Sequence, residues 1–381
     1  MYQYLIPPNH RRGTFFYHPH LHGNVSNQTF KGMSGLLIVE GDADEIPALA
    51  GLPERLLVLQ RTAIVGGQVP NIVSQGGVGR GNVLVNGASM PTLVIRPGET
   101  QRWRLLNSTV SSLWTIRVQG HQMTLIARDG NVLSHATTSD SVALATAQRC
   151  DVLIQGGAPG TYTLTFQDSQ GPGTTQPQPF ALLMVTGAPA EPRELPNFLL
   201  PFEDLRNVPI NRQRTITFNT IGSFNAKTFQ GHGFVIDGKS FDEHRVDQFA
   251  NLDDVDEWTV RNVDAISHLF HIHINPFLVT HLNGQAIESP SYEDTTIVPA
   301  GESITFRTRY RTFSGTWVYR CHILGHEDGG MMGVIQVACR PIESLLAGPG
   351  FRPTGPGFRP SNPFHLRPSC QRLSVEARRR A

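Results

Sequence analysis

The densest chemistry lies in YRCHILGHEDGGMM at 319–332, where Cys321, His326 and Met331 stand at offsets of zero, five and ten. A thiolate at the end of a strand, an imidazole a short loop later and a thioether beyond it supply three of the four ligands of a blue-copper site. Such a site is trigonal in two His and one Cys, with a weak, long axial Met. Methionine is a poor ligand for zinc, so the thioether argues for copper. The plain alternative for Cys321 is an inert buried thiol, the usual fate of a free cysteine.

The missing imidazole is available in HLFHIHINPF at 268–277. In a strand, His271 and His273 point to the same face, whereas His268, three residues earlier, can turn another way. One motif can thus feed two metal centres. The same parity applies at the cysteine, because Arg320 and His322 flank Cys321 and project opposite to it. If Cys321 holds one copper, His322 reaches toward another on the far side. A third motif, FYHPHLHG at 16–23, sets His18, His20 and His22 at alternating positions. Two of these could coordinate a pair of metals, with the third near the rim. Asp294, in YEDTTIVP, is a candidate to orient an imidazole from behind, since ligating histidines usually need such a partner.

These motifs need strands to hold them, and the composition supplies strands. The 381 residues exceed what one core usually fills, so two or three domains are expected. With 37 Gly, 27 Pro and few long apolar-periodic segments, short strands joined by tight turns are favoured over helices. Residues 1–45 read as the last strands of a sandwich. Residues 46–187 begin with the linker IPALAGLPE and continue as a β-sandwich without ligand motifs, in which His121 and His135 stand alone. Residues 188–340 begin with another Pro-rich connection and carry nearly all the chemistry. Residues 341–381, with a GPGFRPT GPGFRPS near-repeat and the ending EARRRA, have few apolar anchors and read as disordered.

Lysine plus arginine, 32, nearly balance aspartate plus glutamate, 31, so nothing supports a nucleic-acid partner. No apolar run is long enough to span a membrane, and the N-terminal residues lack the layout of a secretion signal. The four cysteines include no close pair, which argues against a disulfide framework; Cys150 and Cys339 read as structural or free thiols.

Together the motifs resemble the three-domain multicopper oxidases, the group of laccases, bilirubin oxidases and cuprous oxidases. The resemblance covers residues 1 to about 340 and includes order as well as spelling: HxH, then a unit without ligands, then HxxHxH and CHxxxHxxxxM. It implies an all-β chain of consecutive cupredoxin-like Greek-key β-sandwich domains, the first of them incomplete. It further implies that His268, Cys321, His326 and Met331 are type 1 copper ligands and His271 a type 2 ligand. His18, His20, His273 and His322 would be type 3 ligands, and Glu327 matches an acid that passes protons toward oxygen. The implied reaction takes electrons from a phenolic or metal-ion donor and reduces O2 to water, in a periplasmic or secreted setting.

The chain also departs from that pattern. The resemblance implies a further HxHG upstream of residue 1, as in an N-terminally truncated chain, since a cupredoxin-like domain needs on the order of 100 residues. It also implies His-Cys-His where this chain reads Arg320-Cys321-His322. A guanidinium offers no lone pair to a metal, so Arg320 cannot replace an imidazole ligand. Two functions therefore stand side by side: an oxidase with a type 1 copper and a trinuclear site, or a catalytically incomplete chain that only binds type 1 copper for electron transfer or copper binding. The oligomeric state is not legible.

Overall fold

The computed structural model describes residues 5–72, 81–169, 176–195, 197–222 and 233–339, together with the backbone of 371–372. Of the described residues, 50% are strand and only 6% helix, in keeping with the turn-rich composition. Among the described residues, no helix is long and apolar enough to cross a membrane.

Strands Gly13–Tyr17 and Gly35–Val39 pair antiparallel, and the short helix Val25–Phe30 lies between them in sequence. Strands within 54–185 form a six-stranded and a five-stranded sheet. Between them lies one apolar core to which Leu59, Trp103, Ile126 and Val152 contribute from one sheet, and Trp114, Ile116, Leu164 and Leu183 from the other. Strands within 212–338 form another six-stranded sheet and five strands of a second, whose sixth is Gln371–Arg372. Their shared core includes Phe218, Trp258 and Phe306 on one side and Phe270, Trp317 and Ile335 on the other. Each large apolar side chain buried this way contributes roughly 1.5–3 kcal/mol. The segment at 46–54, expected as a linker, places Leu49 and Leu52 in the first of these cores.

The short N-terminal sheet is tied down by charge as well as packing. Strand Thr100–Asn107 is buried at every position. Arg102 and Arg104 on it bind Asp44 at 2.5 and 2.7 Å and Asp151 at 2.5 and 3.4 Å. Arg104 also reaches Thr14 Oγ1 at 3.1 Å. Farther along, Arg149 grips both carboxylate oxygens of Asp294 at 2.9 and 2.7 Å, which fixes the second pair of sheets against the first.

Cys150 is a buried free thiol, as expected. Cys339, expected as a structural or free thiol, is disulfide-bonded, a pairing that its distance in sequence from every other cysteine does not reveal. The disorder expected for 341–381 lies outside the described residues, except that Gln371–Arg372 pair with Phe313–Ser314.

Candidate metal centre

Strand Phe313–Cys321 ends at the thiol, and its neighbour His268–Ile272 sets Phe270 opposite Cys321 and His271 opposite Arg320. After Cys321 the chain turns through the one-and-a-half-turn helix Leu324–Asp328, which carries His326. It then returns so that Cys321 N–H donates to Met331 O at 3.0 Å, and strand Met332–Ala338 pairs back along Phe313–Cys321. The local sequence thus brings Cys321, His326 and Met331 to one end of one sheet, and the adjacent strand adds His268.

Cys321 Sγ stands 3.5 Å from His268 Nδ1 and 3.6 Å from His326 Nδ1, and the two Nδ1 atoms are 3.0 Å apart. Such gaps suit one ion about 2.0–2.3 Å from each donor. The tautomer of His268 is settled by its other nitrogen, because Nε2–H donates to Asp264 Oδ2 at 2.8 Å and leaves the Nδ1 lone pair facing the centre. Phe234 stacks on His326 with ring centroids 4.1 Å apart. A Cβ at Gly329 would stand 2.5 Å from that ring, so glycine is needed there. Met331 is fully buried in the same core as Cys321. Burial pushes the metal-free Cys321 thiol up to about 12, a cost that a bound cation removes by holding the thiolate. Two imidazoles, a thiolate donor and a buried thioether therefore fit a type 1 copper.

On the opposite face of the same strands lies a chamber of about 350 Å³ lined by His18, His20, His271, His273 and His322. Adjacent ring centroids there lie 4.6 to 5.2 Å apart. His322 N–H donates to Leu269 O at 2.7 Å, which fixes that side chain away from Cys321. His271 Nδ1 meets Asp294 O at 2.7 Å and Thr295 Oγ1 at 3.0 Å, and Asp294 is the residue gripped by Arg149. Burial, and after it the charge of Arg320, holds His18 and His322 well below the usual imidazole range. The same causes lower His20 to about 2.

Arg320 is fully buried and lies behind two of the histidines that line this chamber. Its Nη2 lies 2.9 Å from both His18 Nε2 and His322 Nε2, and Nη1 pairs with the buried carboxylate of Glu327. His20 Nδ1 lies 3.6 Å from the other oxygen of Glu327. Burial lowers Arg320 to about 9, which still leaves it protonated at neutral pH. A protonated guanidinium among the imidazoles does not fit a trinuclear copper cluster. His22 sits outside the ring, against Phe241.

The predicted residues thus gather into two groups, one on each side of the strand Phe313–Cys321. Sequence reasoning missed Asp264, which stands four residues before His268 in no motif, and Asp328. The Asp328 carboxylate accepts from Val25 N–H, Ser26 N–H and Ser26 Oγ at 2.9, 2.8 and 2.6 Å, which ties the helix that follows the His18–His20 segment to the loop after Cys321.

Multicopper oxidase family profiles match residues 1–44, 57–188 and 209–340. A multicopper oxidase, mco, of Staphylococcus aureus is 25% identical over 337 residues, covering 85% of this chain and 68% of its own length. A laccase of Bacillus subtilis (strain 168) is 24% identical over 371 residues, covering 85% of this chain and 71% of its own. Among solved structures, a multicopper oxidase of Campylobacter jejuni described as a metallo-oxidase is 27% identical with a TM-score of 0.74, covering 87% of this chain and 73% of its own. McoA of Aquifex aeolicus, 22% identical with a TM-score of 0.75 over 86% of this chain and 76% of its own, shares the fold. With profiles in chain order over the sandwiches and the donor atoms of residues 268, 321 and 326 drawn together, this chain belongs to the multicopper oxidase family.

Proposed function

We propose that the chain takes single electrons from a small phenolic or metal-ion donor at a type 1 copper held by His268, Cys321, His326 and Met331. The observation that carries this reading is the approach of three donor atoms to within 3.6 Å of one another, with His268 already locked in the tautomer a metal requires. A cupric ion held there would supply one-electron acceptance, tuned by the thiolate of Cys321 and the thioether of Met331.

The chain's own residues govern access and exit. His268, Cys321 and Met331 are fully buried, whereas His326 is partly exposed. A donor therefore meets the site at the His326 edge, beside Phe234. From the sulfur, a covalent path runs along the backbone of Cys321 to His322, whose side chain is buried in the chamber on the far face.

For the acceptor side, two readings stand: O2 reduction at a cluster held by His18, His20, His271, His273 and His322 with Glu327 passing protons, or a single-copper electron-transfer protein. The guanidinium of Arg320 beside His18 and His322 favours the second for this chain. The same reading divides the chain at about 45, 187 and 340 and sets it in a periplasmic or secreted compartment, by family resemblance. The direct test is to load metal-free protein with cupric ion. An intense thiolate-to-copper absorption that Cys321→Ser abolishes is the expected result, and copper bound without that absorption defeats the proposal.

A further inference from the structure

Two histidines of the chamber already meet a cation. Arg320 Nη2 carries two hydrogens, and it points one at His18 Nε2 and one at His322 Nε2, 2.9 Å in each case. A guanidinium is a donor only, so both imidazole nitrogens act as acceptors. His18 agrees with this, since its other ring nitrogen lies 2.9 Å from Pro19 O and donates to it. The lone pairs that a metal would take from these two histidines are therefore in use.

The charge is also balanced without a metal. Glu327 is buried and meets Arg320 Nη1, and its second oxygen faces His20 Nδ1 at 3.6 Å. Nor do the remaining imidazoles close on a common point. Among the described residues, only His268, Cys321 and His326 form a group of at least three such side chains with donor atoms all within 4.8 Å of one another. A divalent ion entering the chamber would meet the positive charge of Arg320, itself fully buried, and like charges beside a buried group repel more strongly than in solvent.

We infer that Arg320 is the resident cation of the chamber: it occupies the acceptor nitrogens of His18 and His322, is neutralised by Glu327, and keeps metal out, so that copper loads only at Cys321. This deepens the type 1 reading above, yet the chamber can be assayed with that site removed. The experiment equilibrates Cys321→Ser, alone and combined with Arg320→His, with cupric ion and counts copper per chain by elemental analysis after gel filtration. The single variant should retain no copper, and the double variant should regain it. Copper retained by Cys321→Ser, or none regained by the double variant, overturns the inference. Failure of the wild-type chain to develop thiolate absorption would defeat the type 1 reading instead, and the same pair of variants would still decide this one.

Because the double variant must fold to be counted, a metal-free measurement runs beside it. In thermal unfolding of Arg320→Gln, Glu327→Gln and the two combined, each single change should lower Tm by several degrees and the pair should cost clearly less than the sum. Strict additivity overturns the ion pair as the chamber's charge balance.

Discussion

His268 Nδ1 and His326 Nδ1 face each other across 3.0 Å beside the thiol of Cys321. His268 has spent its proton on Asp264, so its inward nitrogen is a lone pair, and burial holds both rings below the usual imidazole range. His326 Nδ1–H can donate to that lone pair, whereas a cation at the centre would draw both nitrogens and the thiolate to itself, an arrangement that only the folded chain provides. Cupric ion should therefore stabilise the fold, by about 4 kcal/mol when free copper is a thousand times Kd. Thermal unfolding across a copper titration measures this, and Cys321→Ser should lose most of the shift. An equal shift in that variant would place the metal elsewhere.

The link from Asp264 to His268 makes a separate prediction. Asp264→Asn removes the carboxylate that fixes the ring's tautomer and raises its basicity, while leaving all four proposed ligands. Copper affinity should fall about 10–100-fold, measured by competition with a chelator of known affinity, with the thiolate absorption still present at saturation. A carboxylate that served only structure would lower Tm without changing affinity in the folded protein.

Arg149 joins the two larger β units to the chamber wall. It lies within 3.5 Å of Asp129 and binds Asp294 through two nitrogens. Burial alone would raise Asp294, but the Arg149 charge outweighs it and holds the carboxyl far below its usual range. Arg149→Met leaves two buried carboxylates without their cation and should cost about 3–5 kcal/mol, read by denaturant unfolding. Adding Asp294→Asn should recover part of that loss. No recovery would mean the aliphatic stem, not the charge, is what matters.

What could be read from sequence follows from distance along the chain. Cys321, His326 and Met331 lie on one turn, and the alternation of a strand is enough to send His322 and Arg320 to the opposite face; both relations are local. The pairing of Arg320 with His18 joins residues 302 positions apart, and only the packed sheets bring them together. Arg102 and Arg104 show the limit from the other side. In TQRWRLLN their polarity suggests a solvent face, yet every residue is buried because Asp44, Glu54 and Asp151 arrive from elsewhere to neutralise them. Sequence period predicts which side chains share a face, and it is silent about what covers that face.

Glu293 gives a pH dependence that lies outside both clusters. Its backbone pairs with Phe277 at 2.8 and 3.0 Å, and burial pushes its carboxyl from 4.5 up to about 8. The folded state therefore holds a proton that the unfolded chain releases above about pH 4.5. Its contribution is fully present below that pH, declines as pH rises toward 8 and then levels off, because both states are ionised there. Glu293→Gln mimics the protonated form at every pH. It should leave Tm nearly unchanged near pH 4 and raise it progressively between pH 5 and pH 8 relative to the parent chain. Unfolding scans of the two proteins at matched ionic strength test the sign, and a difference that shrinks as pH rises would show that this carboxyl is ionised in the fold.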